Sequence, residues 1–508
     1  MRTLRRQPTA VWVLLALLLA FHLWFAAQIP YGVDDWTWGG TPGIPRLLSG
    51  ELNNRFAGNL TEILVARSPL LKTLVMGLVF TLIPAEAAAL ALEADRKERS
   101  GAPALLLICL GEALMLSIPR EVWAQSYSWV AGFSNFVVSG LLLCLYHRLL
   151  LRQLQEREPF ARGWWVPALL FVFGAVMQLY LENVAIYTVL LAGFLLIWRL
   201  VRREGLSAGI LALMLGNLAG LVLMFSNKIF VILLQEGELF NGYRALTFSM
   251  DDGLVSILLG FIRRFLGDLS NKIWGNNWIM CSLVVLLLSF FALRRKKPGF
   301  AAGNLLYLVY FVASHFHGPF PLPAFSPVHY LSGIAEPAFF LYVGWQLLAF
   351  WKDRPQMRGL LLVGWCLPPL LILPLLPVTS AGPRCYATEA VLLMQFCLLL
   401  ALQLWDELEE KPRRIAAGLC AAALLGLCVN LGVVYAQIGQ VKRARDAQLE
   451  LARTGQLQTV HLAPYPHADY LWITDGKGPA YEGIWEVIDF YQLPEGVELI
   501  YDRPEQES

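Results

Sequence analysis

Long apolar runs are the feature that most constrains this chain. A transmembrane helix needs about 20 mostly apolar residues to cross the ~30 Å hydrocarbon core of a bilayer. Because backbone groups cannot stay unpaired in lipid, each long apolar run is expected to form a helix. The runs predict about thirteen transmembrane helices, near positions 10–28, 70–92, 102–118, 132–150, 165–181, 184–200, 208–226, 277–293, 303–316, 331–350, 359–377, 388–405 and 415–436.

Composition supports this fold class and excludes several others. Apolar residues make up 57% of the 508 positions and charged residues only 15%, against about 45–50% and about 25% in soluble domains. A soluble protein could not cover so much apolar surface, and a disordered, collagen-like or coiled-coil chain is excluded by the same values. The formal net charge of +2 gives no reason to expect nucleic acid as a partner. We therefore expect an all-α polytopic membrane protein.

The basic residues predict how the spans are oriented. Clusters of Arg and Lys occur at every second connection, as the positive-inside rule requires of cytoplasmic loops. They place the N-terminus in the cytoplasm and the C-terminus outside. The first apolar run follows Arg5 and Arg6 as in a signal peptide, but its ~18 residues exceed the usual apolar core of about 7–15. We therefore expect it to remain as the first helix.

The connections on the predicted outer side are longer than those on the inner side. The two longest are 29–69 and 227–276. Within the second, 254–267 is amphipathic and is expected to lie along the membrane surface. The chain is accordingly divided into a transmembrane domain, 1–436, and a small extracytoplasmic α/β region, 437–508, in which short extended runs alternate with Gly/Pro turns.

Two adjacent carboxylates, Asp34 and Asp35, directly follow the first predicted helix. Charges at the edge of the hydrocarbon are costly unless they are paired or used. One of the two could act as a general base towards an acceptor hydroxyl, and Trp36 could stack on a sugar ring. The same residues would also suit a helix cap beside an interfacial aromatic belt. The sequence does not decide which carboxylate would act.

Cationic residues recur in the same outer connections. They are Arg55, Arg120, Lys228 and Arg384. Guanidinium and ammonium groups just above the hydrocarbon suit a phosphate or pyrophosphate that is carried by a lipid. The alternative is that they contact lipid headgroups or pair with Glu121, Glu182 and Glu389.

Metal binding has little support in the sequence. His315 and His317 form a His-x-His pair and His329 follows, but no third or fourth ligand lies nearby, so no metal site is predicted. A divalent cation at Asp34 and Asp35 stays an open alternative, although no spacing rule supports it.

Five short motifs lie in order along the chain. They are Asp34-Asp35-Trp36, Asn54-Arg55, Trp129-x-x-Gly132-x-x-Asn135, Glu182-Asn183 and Ala381-Gly382-Pro383-Arg384. Together with the predicted topology, this set resembles the membrane-embedded GT-C glycosyltransferases, and most closely the bacterial glucosyltransferase-II-like proteins and related uncharacterised polytopic families.

The resemblance implies a GT-C-like transmembrane fold and an activity at the outer face of a bacterial cytoplasmic (inner) membrane. The enzyme would move a sugar from a polyprenyl-phosphate-linked donor to a glycan or lipid acceptor, with inversion and with Asp34 or Asp35 as base. The four cations would hold the donor phosphate. Roles in orienting substrates would fall to Trp36, Glu121, Trp129, Asn135, Glu182 and Asn183. The implied partners are the donor, the acceptor and membrane lipids, and no cofactor is certain.

A multi-span transporter or flippase of a lipid-linked or small polar substrate is the alternative function. Transporters place ionisable groups within their spans, often in repeated and broken helices. Glu86, Glu112, Glu336 and Glu389 lie in or near predicted spans. No internal repeat is visible, however, and the polar motifs gather on one side, which favours the enzyme.

Overall fold

The computed structural model describes residues 8–50, 53–95, 101–155, 163, 165–239, 244–249, 251–316, 327–379, 381–473 and 484–502, which are predominantly helical. The first eleven helices are α1 Thr9–Gln28, α2 Asp34–Gly39, α3 Gly43–Ser49, α4 Phe56–Ala66, α5 Pro69–Ala94, α6 Gly101–Leu116, α7 Arg120–Ser126, α8 Val130–Leu154, α9 Trp165–Gln178, α10 Glu182–Val201 and α11 Ala208–Phe225. The others are α12 Lys228–Glu236, α13 Leu254–Gly275, α14 Trp278–Arg294, α15 Pro298–Phe316, α16 Pro327–Phe350, α17 Pro355–Leu375, α18 Ala387–Glu407, α19 Glu410–Arg453 and α20 Ile484–Tyr491. His317, of the predicted His-x-His pair, lies outside the described residues.

A helix occupies each of the thirteen predicted ranges, but fewer are long and apolar enough to cross a membrane. Within the described part of the chain nine helices meet that requirement, or eleven if two bent pairs each count as one span. The bent pairs are α6 with α7, at 90°, and α13 with α14, at 75°. The chain is thus a multi-pass helical protein of nine to eleven candidate spans.

Three helices form the centre of the bundle. Protein covers 94% of the apolar stretch in Pro383–Glu407, 83% of that in Val130–Leu154 and 67% of that in Pro69–Ala94. In the outer helices α1 and α19, protein covers only 28% and 17% of the apolar stretch. Large apolar side chains such as Leu17 and Leu419 are therefore exposed. Exposed apolar faces of this extent are expected where lipid rather than water surrounds the helices.

The C-terminal region folds back onto the connections that follow α1 and α6. Helix α19 has 44 residues, about 66 Å at 1.5 Å per residue, and runs without a break through the predicted boundary at 436. Strands β3, Thr459–Leu462, and β4, Glu498–Tyr501, then pair in parallel. The other strands described, β1 Glu238–Leu239 and β2 Arg244–Ala245, form a small antiparallel pair in the 227–276 connection.

Contacts of the C-terminal region fix its side of the bundle. The Asp469 carboxylate accepts from Arg120 at 2.8 Å, and the Ser128 hydroxyl donates to the Tyr470 carbonyl at 2.5 Å. Helix α20 packs on α2. The C-terminal region, the 29–69 connection and the 119–131 connection therefore lie at the same end of the bundle.

Candidate functional site

The site begins at the turn between α1 and α2. Val33 has a positive φ of 51°, which is a strained conformation for a β-branched residue. The turn is held by Asp35, whose backbone N–H donates to the Gly32 carbonyl at 3.1 Å. Asp34 and Asp35 then form the first residues of α2. This backbone geometry sends the two neighbouring carboxylates into different surroundings.

Asp35 is fully buried and bonded to backbone on both oxygens. Its carboxylate accepts from the Gly32 N–H at 3.0 Å and from the Ala131 N–H at 2.8 Å. Ala131 is in the first turn of α8, so Asp35 ties the first outer connection to the start of a central helix. Burial raises the pKa of Asp35 to about 7, against the opposing effect of the two backbone bonds. Both carboxylate oxygens of Asp35 thus accept a hydrogen bond from the backbone.

The side chain of Asp34 is exposed, although many protein atoms lie around it. The surrounding protein raises its pKa above the ordinary value. The charge of Arg384 lowers the pKa in turn, Glu486 raises it, and Arg46 lowers it. Asp34 therefore lies within the electrostatic reach of the 383–386 turn and of helix α20.

A third carboxyl group, Glu62 on α4, was missed by the sequence analysis. Its side chain is buried, and burial raises its pKa well above the ordinary value, with further contributions from Asp35 and Asp34. Its Oε1 atom has no hydrogen-bond partner among the described residues. A single acidic residue in a short helix gives no sequence signal of its own, and only the fold brings Glu62 within electrostatic reach of the pair.

Arg384 stands on a short 3-10 turn, Pro383–Tyr386, that packs against α7. Its guanidinium lies over the Trp129 ring, 5.7 Å from the centroid, a distance typical of a cation–π contact. The indole N–H groups of Trp129 and Trp36 are buried and have no acceptor among the described residues. Arg384, whose charge acts on Asp34, thus contacts one of the two tryptophans that were predicted to contact the substrate.

Arg55 forms a two-pronged ion pair with Glu182. Its Nε atom is 3.1 Å from Oε1 and its terminal nitrogen is 2.6 Å from Oε2. The sequence analysis gave pairing with Glu182 as the alternative to phosphate binding, and the structure shows this pair. The Arg55 guanidinium, which was predicted to hold the donor phosphate, thus donates to Glu182 instead. Asn183, the next residue, is buried and donates to the Leu371 carbonyl at 3.3 Å.

The remaining predicted residues are spread around this end of the bundle. Arg120 pairs with Asp469 and lies 5.0 Å from the Tyr470 ring centroid, so it anchors the C-terminal region. Glu121 and Lys228 are exposed, the latter at the first position of α12. Two of the four predicted cations, Arg55 and Arg120, are therefore paired with carboxylates of the protein.

Asn135 connects the start of α8 to α4. Its amide donates to the Ala131 carbonyl at 3.1 Å, the same residue whose N–H is bound by Asp35. Its Oδ1 atom is buried without a partner among the described residues, and α4 approaches it so closely at Gly58 that a Cβ there would lie 2.1 Å away. Asn135 thus serves the packing of the site, whichever ligand the site takes.

Helix α20 covers one side of α2. The Thr37 hydroxyl donates to Glu486 at 2.7 Å, and Thr41 donates to Asp489 through its backbone N–H at 2.7 Å and its hydroxyl at 2.5 Å. Helix α20 is separated from α2 by more than four hundred residues. It contributes a carboxylate to the surroundings of Asp34 that no local pattern could reveal.

No group of three or more His, Cys, Asp or Glu side chains suited to a metal ion occurs in the part of the chain that the structure describes. The chain matches no family model, no curated protein and no solved structure.

Proposed function

We propose that this chain is an integral-membrane glycosyltransferase that uses a polyprenyl-phosphate-linked sugar as donor and a glycan or lipid as acceptor. The proposal includes thirteen spans in a bacterial cytoplasmic membrane, a cytoplasmic N-terminus, and the site at the extracytoplasmic face. We assign the enzyme to the GT-C type because its five short motifs resemble those of that superfamily.

One observation carries the proposal, namely the different surroundings of Asp34 and Asp35. Asp35 has both oxygens bonded to backbone N–H groups, whereas Asp34 is exposed and has a raised pKa. A base needs a carboxylate that can meet a substrate proton and whose pKa is closer to neutrality than that of an ordinary aspartate. Asp34 meets both requirements. Asp35 instead stabilises the turn between α1 and α2.

The proposed step is a single displacement. The acceptor oxygen attacks the anomeric carbon while Asp34 takes the acceptor proton, and the bond from that carbon to the phosphate oxygen breaks. The electron pair leaves with the polyprenyl phosphate, whose additional negative charge Arg384 would stabilise. Trp36 and Trp129 are buried, so a sugar ring could stack on them only if their side chains were uncovered first.

The test compares Asp34→Asn with Asp34→Glu and with Asp251→Asn, a control that removes an exposed carboxylate from the 227–276 connection. Mass spectrometry of envelope glycans, in cells that lack the chain and in cells that produce each variant, measures the sugar transferred. We expect Asp34→Asn to abolish the product at wild-type protein level, Asp34→Glu to retain part of it, and the control to equal wild type. Full activity of Asp34→Asn would refute the assignment.

Transport is the second candidate because one buried polar network lies within the spans. His22 on α1 contacts Glu112 on α6 at 2.9 Å and Thr81 on α5 at 2.9 Å. The second oxygen of Glu112 has no partner among the described residues. An ionisable group at such a position marks many transport paths. A transporter would lose function in Glu112→Gln and keep it in Asp34→Asn, the reverse of the enzyme.

A further inference from the structure

A second group of cations lies behind the turn that carries Arg384. A cavity of about 460 Å³ opens there. It is lined by Thr247, Arg264, Asp268, Lys272, Thr379, Ala381 and Gly382. Ala381 and Gly382 are the first two residues of the motif that ends at Arg384, and Arg384 itself does not line the cavity.

The cavity wall carries more positive than negative charge. Arg264 and Lys272 are opposed by a single carboxylate, that of Asp268, which contacts the Lys272 ammonium at 2.9 Å. Arg264 donates to the Leu376 carbonyl at 3.1 Å and Lys272 to the Ala381 carbonyl at 3.3 Å. A guanidinium has five N–H donors and an ammonium three. The two side chains are thus held by backbone carbonyls and keep further donors for an anion.

The first part of α13 indicates the depth of the cavity. From Leu254 to Arg264 no residue is buried, and the exposed apolar side chains recur at helical spacing along one face. They are Leu254, Val255, Leu258, Leu259 and Ile262. This part of α13 ends with Arg263 and Arg264. Helix α14 makes an angle of 75° with α13. A helix with one apolar face and a basic end lies in the headgroup region of a membrane.

We propose that this cavity binds the phosphate of a membrane phospholipid headgroup, through Arg264 and Lys272. The apolar face of α13 would lie among the acyl chains, and its basic end brings the cavity to the level of lipid phosphates. The Thr247 hydroxyl donates to the same Leu376 carbonyl that accepts from Arg264. This binding needs no sugar transfer, so it can fail or hold separately from the proposed enzyme activity.

The experiment measures binding to the purified full-length protein in neutral detergent. The probes are dihexanoyl phosphatidic acid, inorganic phosphate and uncharged dihexanoylglycerol, titrated by isothermal calorimetry. Arg264→Gln and Lys272→Gln each remove one cation from the wall. Arg263→Gln is the matched control, because it removes the same charge from the adjacent, exposed position.

We expect phosphatidic acid to bind at least tenfold more tightly than inorganic phosphate or the uncharged lipid. Arg264→Gln and Lys272→Gln should each weaken binding about tenfold or more, as the loss of a charge-assisted hydrogen bond does, and Arg263→Gln should leave it within about twofold. Equal affinity for inorganic phosphate would overturn the lipid as ligand. Equal losses in all three variants would overturn the cavity as the site.

A variant that is expected to bind more tightly distinguishes a loss of the binding site from a folding defect. Asp268→Asn removes the carboxylate that opposes the two cations and releases Lys272 from its ion pair. We therefore expect it to bind phosphatidic acid severalfold more tightly than wild type. Unchanged or weaker binding by a folded Asp268→Asn protein would contradict the proposal.

Discussion

The buried carboxyl of Asp35 predicts how the stability of the whole protein depends on pH. Burial raises its pKa from 3.8 in the unfolded chain to about 7 in the folded one. The folded protein therefore holds this proton more tightly than the unfolded chain does. The stabilisation that results is complete below pH ~4 and is lost as the pH rises towards and through ~7.

The size of the effect follows from this difference in pKa. Each pKa unit corresponds to about 1.4 kcal/mol, so between pH 5 and pH 8 the free energy of unfolding should fall by about 2–3 kcal/mol through this group alone. Unfolding entropy is about 2 cal/mol/K per residue, which gives about 1 kcal/mol/K for 508 residues. The melting temperature should accordingly fall by about 2–3 °C over this range.

Asp35→Asn separates this group from the other titrating residues. An asparagine cannot ionise, so its melting temperature should fall about 2–3 °C less than that of wild type between pH 5 and pH 8. At pH 5 it should be the less stable protein, by about 1–3 kcal/mol, because its NH₂ group faces either the Gly32 or the Ala131 N–H. Intrinsic tryptophan fluorescence on heating in detergent measures both. The same pH slope in Asp35→Asn and in wild type would refute the raised pKa.

Two further predictions concern residues around the site. A double-mutant cycle of Arg55→Gln and Glu182→Gln should give a coupling of about 1–3 kcal/mol in thermal unfolding, because both side chains are largely buried in one charge-assisted pair; additive effects would contradict the pairing. Under the proposed function, Glu486→Gln should move the acid limb of the pH–activity profile to lower pH, since Glu486 raises the pKa of Asp34. A limb that does not move would exclude this electrostatic contribution.

The positions of the helices could be predicted because the sequence encodes them locally. A run of about 20 apolar residues forms a helix whatever surrounds it in lipid, and a helix is found at each predicted range. The number of spans could not be read in the same way, since α9 has only 14 residues. The bends at α6–α7 and α13–α14 fall where a predicted span ends at 118 and where another begins at 277, but hydropathy does not give their angles of 90° and 75°.

The site was predicted in part, for a related reason. Asp34 and Arg384 stand out in the sequence as charges beside the membrane, and the charge of Arg384 acts on Asp34 in the structure. For Arg55 the sequence left phosphate binding and pairing with Glu182 open, and the structure shows the pair. The role of Asp35 could not be read from sequence, because it depends on Ala131, far along the chain. The two aspartates differ only through the turn at Val33, and a positive φ in a β-branched residue is not a conformation that local pattern predicts.

The contacts of Asp35 explain why the turn between α1 and α2 tolerates strain. By bonding the N–H groups of Gly32 and Ala131, Asp35 ties the turn to the start of α8, and such over-determination is what a strained residue like Val33 requires. Helix α20 adds contacts through Thr37 and Thr41. Asp34 is exposed at the start of α2. Under the proposed function, its carboxylate would meet a substrate proton without any rearrangement of the fold, which is the condition for preorganised catalysis.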